Sequence, residues 1–569
     1  MKMDSLMLKF PHLPEKIFQK LKNDSLFKAR EVARSWKYCI NERNYLWLRV
    51  VNIPTILQNG NTYLDFAAVT GQIDAFKIAF NEAEDKNVKN IYGETSFHLA
   101  CKNGHLNIVN FLLENIDLIV NIDAKDDNSF TGFILACKEG RLNVAKVLME
   151  KSVTLGIDLN AQGAGKLTNF RAGNLTTFGA GNLIGFMWTA FHWICAEGHV
   201  DLAKLIMEKS ASLNIDVDAK DNRGRNAFHQ ACRLNHIDVV KMFMENSQTL
   251  QIDLNAKDNK GWTAFHWTCW HGHVIVAKMI MEKSASLNID VDAKDNSGKT
   301  PFHLVFGRGH VNLVKMFMEN SSVLSIDINA KDNKGKNIYH RACELGHISV
   351  VKMFMDYSAT LNIDLNAKDD YGWTAFHWTC APQFVAPDVN VAKMIMEKSV
   401  SLNLDVDAKD NSGKTSFHLV CGRGYVNLVK MFMENSSVLS IDINAKDNRG
   451  QTGFSTACEW GFINVVRMLM ENAAALSIDL NAKDKEGQTA FHLVCRYGYV
   501  NVANLLMESS DSLCIDLNAK DNEGRTAYCW ACTSSFQATK ELIRKNAEIL
   551  KIDLEIENFQ TCIEEAQHY

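Results

Sequence analysis

The chain has no run of 18 consecutive apolar residues, so no stretch of it is expected to cross a membrane as a helix. It also lacks a strong charge bias: 61 Lys and Arg stand against 66 Asp and Glu, a net charge of −5. That balance excludes a chain-wide basic surface for nucleic acid or a chain-wide attraction to acidic partners. Residues 1–10 have no secretory h-region, because Lys2, Asp4 and Lys9 interrupt short apolar pieces. The expectation is a soluble chain, cytoplasmic, nuclear or both, with no nucleic acid and no membrane among its partners. At 569 residues it exceeds the roughly 250–300 at which one core stops growing, so it needs several domains or a repeat.

Patterns for chemistry are also missing. The stretch 266–273, HWTCWHGH, holds three histidines and a cysteine but not the usual zinc-ligand spacing. Nine of 18 histidines follow a repeated Phe or Tyr and six follow a repeated Gly or its equivalent, which reads as scaffold. The DVDAKDNSG run from Asp290 puts Lys294 where a calcium loop needs a ligand. QGAGKLT at 162–168 has too few residues between its glycines for a phosphate loop, and Leu167 stands in place of the hydroxyl residue. No acid/base pair or activated nucleophile stands out from the repeat. No enzyme activity, cofactor or metal is expected.

What the chain does have is one motif copied many times. Phe191, Phe228, Phe265, Phe302, Tyr339 and Phe376 follow one another at 37 residues. Phe417, Phe454, Phe491 and Tyr528 continue the register after one step of 41. Leu64, Phe97 and Phe133 head looser copies upstream, which makes thirteen units. In one unit, the Asp258–Gly261 run predicts a turn, Thr263 an N-cap, and Ala264, Phe265, Thr268 and Cys269 the packing face of a short helix. Gly272 ends that helix. Val274, Val276, Ala277, Ile280 and Met281 then mark a second one. Eleven of the 15 cysteines share one repeat position, from Cys101 to Cys532. Stacked helices lie ~8–10 Å apart, too far for a disulfide, so these are read as small buried thiols.

The unit TAFHWTC…GH resembles the ankyrin repeat, which has Thr-Pro-Leu-His, small residues and then Gly-His. The resemblance covers about residues 58–555 and implies an all-α solenoid of helix pairs that binds proteins. The period of 37 exceeds the family's ~33 by about one helical turn, so the second helix is expected to be a turn longer. Only Pro301 keeps the family's proline. Two insertions break the register: a glycine-rich one expected to be a flexible excursion, and APQFVAPDVN at 381–390. Residues 295–333 and 410–448 differ at three positions only, which points to duplication of a three-repeat block.

The position two after the repeated Phe varies while its neighbours do not. It holds Trp193, Gln230, Trp267, Leu304, Arg341, Trp378, Leu419, Thr456, Leu493 and Trp530. WTAFHW at three places pairs Trp188 with Trp193, Trp262 with Trp267 and Trp373 with Trp378. By the resemblance this column lies near the concave face. Trp188, Trp193, Trp262, Trp267, Arg341, Trp373, Trp378 and Trp530 are therefore candidates for holding a protein substrate. The alternative is that these tryptophans pack between helices and recur through duplication.

The head of the chain repeats nothing. Leu13, Ile17, Phe18 and Leu21 fall on one face of a helix that Pro14 can begin. Leu26, Ala29, Val32, Trp36 and Ile40 continue at helical spacing after a cap at Asp24 or Ser25. Nine Lys or Arg and four Asp or Glu stand between 12 and 50. With Leu46-Trp47, this pattern resembles the F-box. The interval from Leu-Pro to Trp is about one turn shorter than that family's. The resemblance implies docking onto a Skp-family adaptor, and through it a cullin, by Leu13, Pro14, Ile17, Phe18, Leu21, Leu26, Val32 and Trp36. The alternative is a helical cap on the first repeat. The expected organisation is an F-box-like domain at 1–57, repeats 1–3 at 58–160, the insertion at 161–187, repeats 4–13 at 188–555 and a tail at 556–569.

Overall fold

A computed structural model describes residues 62–118, 121–165, 186–306, 309–383, 385–533 and 536–554. The expected F-box-like head and the tail lie outside the described residues.

One repeat shows why the sequence folds as it does. Asp221 opens the turn: its Oδ1 accepts the N–H groups of Arg223 and Arg225, both at 2.9 Å. Gly224 completes the turn at φ 76°, a conformation in which a Cβ would press on Asn259 of the next repeat. Asn226 then caps the first helix, Ala227–Arg233, in a reciprocal box with His229. A second helix, Ile237–Leu250, returns antiparallel to it. Phe228, Ala231 and Cys232 on the first helix meet Val239, Val240 and Phe243 on the second, and all are buried. The Phe243 ring lies 5.3 Å from Phe228 and 5.6 Å from Phe191 of the preceding repeat, so one side chain joins two units. Burial of such a ring stabilises by about 1.5–3 kcal/mol.

The four residues beyond the family's period add a turn to the second helix. Val200–Leu213, Val274–Leu287, Val389–Leu402 and Val426–Leu439 each run 14 residues. Each such helix stops at a left-handed residue: Asn214, Gln251, Asn403 and Ser440 have φ between 50° and 54°. The amide of Gln251 bonds back to the Ser247 carbonyl, and so does that of Ile252 at 2.9 Å.

Contacts group the chain into two compact units. Residues up to Thr268 with Ile275–Asp290 form one, and Cys269–Val274 with Val291 onward form the other. Each is a stack of helix pairs of the kind just described.

The described residues are not wholly helical. Strand β1, Gln162–Gly165, pairs antiparallel with β2, Phe186–Thr189, on either side of the glycine-rich insertion. Phe186 and Trp188 point to the same buried side of β2 and stack at 5.2 Å, the period of two that a strand imposes. At the second insertion, Asp388 caps the helix Val389–Leu402, taking the amides of Asn390 and Val391. Nearby, Arg423 from the next repeat donates to the Pro382 carbonyl at 2.9 Å.

Candidate interaction face

The first helices carry the variable column. Its side chains are set by what surrounds them. The position two after the repeated Phe is buried under many occupants: Leu135, Trp193, Gln230, Trp267, Leu304, Trp378 and Leu493 are all 6% exposed or less. Arg341, Leu419 and Trp530 are half-buried there.

What covers the column is the residue just before each N-cap. Trp188 packs on Trp193 with centroids 4.5 Å apart, Trp262 on Trp267 at 4.7 Å and Trp373 on Trp378 at 4.6 Å. The same position in the preceding repeat also reaches over: Phe130 meets Trp193 edge-on at 5.5 Å, and Lys336 sits over the Trp378 ring at 3.0 Å. The indoles are anchored as well as covered. Trp267, Trp378 and Trp530 donate their ring N–H to Asp258, Asp369 and Asp521 of their own turns, at 2.9–3.1 Å. Trp188 and Trp373 donate to Asp221 and Asp410 of the next turn at 3.0 Å.

Of the eight candidate residues, Trp188, Trp193, Trp267 and Trp378 are therefore interior side chains. Trp262, Arg341, Trp373 and Trp530 keep part of their surface in solvent. The variation noticed at one position belongs to a layer of three: the pre-cap residue, the residue two after Phe and the residue five after it. Lys336, Arg341 and Glu344 show all three in one repeat. Lys336 bonds Glu344 at 3.1 Å and Arg341 bonds it at 2.6 Å. Burial pulls the Lys336 ammonium below its usual range while the Glu344 charge opposes this. In another repeat Arg225 lies against Asp221 at 2.7 Å, both fully buried. Burial works to raise the Asp221 carboxyl, yet Arg225 and the amides bonded to it hold it below its ordinary value. The partnership of these columns was legible in the sequence only as co-occurring letters, because nothing in the spacing says that one residue lies on another.

The side chains that do reach solvent lie one position further along the first helix, where sequence reasoning did not look. Trp460 is 58% exposed and Tyr497 36%, at equivalent places in neighbouring repeats. Phe536 is 47% exposed and packs beside Gly498. Tyr425, Phe462, Tyr499 and Phe536 fill in four successive repeats the place that histidine holds upstream. The signal was present as this replacement of His by aromatics. The Arg496 guanidinium lies 4.7 Å from the Trp530 ring and 5.8 Å from Tyr497, joining the exposed rings to the layer beneath.

The histidines after the repeated Phe do the work of fasteners. His98 accepts the Thr95 amide through Nδ1, and Nε2 lies 2.8 Å from the Ala124 carbonyl and 3.1 Å from that of Phe130 in the next repeat. His192, His340, His418 and His492 repeat the pattern. Burial lowers the basicity of all of them. Ten of the eleven aligned cysteines are buried free thiols, and Cys532 is half-buried. Burial pushes the Cys343 thiol up to about 12, far from a reactive thiolate. Among the described residues no group of three or more His, Cys, Asp or Glu could hold a metal. No described helix is long and apolar enough to cross a membrane.

No structure is described for Leu13, Pro14, Ile17, Phe18, Leu21, Leu26, Val32 and Trp36, and no F-box domain is detected by comparison with protein families. No curated protein matches the chain. The family model for ankyrin repeats in three copies matches residues 64–163, 172–258, 191–295, 246–332, 285–369, 384–484 and 473–553. With helix pairs, capping boxes and turns recurring across those residues, the chain belongs to the ankyrin-repeat family, whose arrays are protein-interaction scaffolds.

Proposed function

We propose that this protein is the substrate-recognition subunit of a Skp/cullin/F-box ubiquitin ligase, with no catalytic site of its own. The observation that carries the reading is the single non-repeating stretch, Leu13-Pro14 through Trp36 with Leu46-Trp47, placed ahead of a protein-binding array. The head docks the adaptor through Leu13, Pro14, Ile17, Phe18, Leu21, Leu26, Val32 and Trp36. The array holds the protein substrate through the partly exposed side chains of its first-helix face, Trp262, Arg341, Trp373 and Trp530, extended by Trp460 and Tyr497. Trp188, Trp193, Trp267 and Trp378 support those side chains from below. Aromatic rings and arginine are the usual anchors of such contacts.

The direct test uses the full chain and a purified Skp-type adaptor with its cullin. Co-purification with the wild-type chain, lost in the Leu13→Ala/Pro14→Ala variant, is the expected result. An intact, folded chain that never retains the adaptor overturns the reading. It would leave a second one, which the lack of a detected F-box domain favours: an ankyrin scaffold without a ligase link, whose N-terminal residues cap the first repeat.

A further inference from the structure

Seven asparagines make the same two bonds from one repeat to the next. Asn255 accepts the Asp290 amide through Oδ1 at 2.8 Å and donates through Nδ2 to the Asn288 carbonyl at 2.8 Å. Asn160, Asn329, Asn366, Asn444, Asn481 and Asn518 repeat the pair at 2.8–3.1 Å. In each case the accepting carbonyl belongs to the left-handed residue that ends a second helix. The asparagine is a rung that needs one acceptor and one donor.

At Asp123 and Asp407 a carboxylate takes the asparagine's place. Each still accepts the amide: Asp158 to Asp123 Oδ2 at 3.0 Å, and Asp442 to Asp407 Oδ2 at 3.2 Å. The second oxygen, Oδ1, stands where the donor should be. In both residues it is shut off from solvent and has no hydrogen-bond partner. The carbonyls left facing it are those of the helix-ending residues, Gly156 and Ser440. Asp218 is the informative exception. The cap that follows it is Asn226 in place of threonine, and Asn226 Nδ2 donates to Asp218 Oδ1 at 2.7 Å. Where threonine follows, as Thr131 and Thr415 do, no such donor is supplied.

We propose that Asp123 and Asp407 are proton-operated rungs: each takes up one proton on Oδ1 and, once neutral, donates it to the carbonyl of Gly156 or Ser440, closing a joint that is open at neutral pH. The proton comes from solvent and no covalent step is involved. The charged groups around Asp407 are Asp405 and Lys409 on its own segment and Asp442 across the joint. From the preceding repeat come neutral Asn366, on the Asp405 amide, and Lys368, on the Lys409 carbonyl. Burial raises the Asp407 carboxyl to about 6; the Asp442 amide opposes this, the charges of Asp442 and Asp405 add to it, and Lys409 opposes it. Asp123 is raised for the same first reason, with Asp158 adding and Lys125 opposing. Between an ordinary aspartate's ~4 and about 6, the folded joint binds a proton that the unfolded chain does not. The joint therefore tightens as pH falls through that window.

Hydrogen exchange of the full-length protein at pH 7.5 and 5.0, corrected for intrinsic rates, reads this directly. Amides of residues 440–444 should gain several-fold more protection on acidification than those of 477–481, where Asn444 supplies the rung. Asp407→Asn should remove the difference and give the acid level of protection at both pH values. Asn444→Asp should install the pH response at 477–481. The proposal is overturned if Asp407→Asn keeps the wild-type pH response, or if the Asp407 carboxyl carbon titrates near 4 by NMR.

Discussion

Trp267 and Trp460 are the same residue type on equivalent first helices, yet they do opposite things. Trp267 is 6% exposed, rests against Trp262 and donates to Asp258. Trp267→Ala should cost about 3–5 kcal/mol, the price of a cavity plus an orphaned carboxylate partner. Trp460 is 58% exposed, so Trp460→Ala should change stability by no more than about 0.5 kcal/mol while weakening capture of a protein partner. Denaturant unfolding of the two variants separates them. A Trp460→Ala loss as large as that of Trp267→Ala would make Trp460 a packing residue.

At the scale of the element, the lengthened second helix creates a strained end. Gln251 takes φ 54° with a full side chain, where a left-handed conformation costs about 1–2 kcal/mol for an L-residue other than Gly or Asn. Gln251→Gly should raise stability by up to about 1 kcal/mol, because relief of the strain exceeds the added entropy of the unfolded chain. Asn288→Gly should gain less, since asparagine tolerates this region. Thermal unfolding measures both, and equal shifts for the two would argue that the helix end carries no strain. The helix lengths themselves follow from the letters. A period of 37 left room for one extra turn, and the structure spends it there.

Across the whole molecule the fastening histidines act in concert. His98, His192, His229, His303, His340, His377, His418 and His492 are all lowered by burial, His229 and His303 to about 4. The unfolded chain takes up these protons near 6.5, so folded stability is whole above that pH and falls as pH drops toward 4. For His229 or His303 the loss at pH 5.5 is on the order of 1 kcal/mol. The melting temperature should therefore fall between pH 7.5 and 5.5. His229→Gln should shrink that fall, and a flat profile would contradict neutral buried imidazoles. The Asp123 and Asp407 joints respond with the opposite sign, so local tightening and global loosening can be told apart in one titration.

The sequence by itself determined the repeat, its helix pairs, the caps, the buried cysteines and the scaffold role of the histidines. Each of these is a local preference multiplied by periodicity, and a one-dimensional pattern carries both. Only the tertiary structure decided which tryptophans are inside. Trp193, Trp267 and Trp378 stand at a variable column, and variation there looked like freedom to bind. Their burial depends on the residue before each cap and on the preceding repeat, as Phe130 and Lys336 show. The exposed Trp460 and Tyr497, and the open rungs at Asp123 and Asp407, were likewise invisible for the same physical reason. Solvent exposure and an unmet hydrogen bond are properties of what lies across the joint, and no spacing along the chain records that.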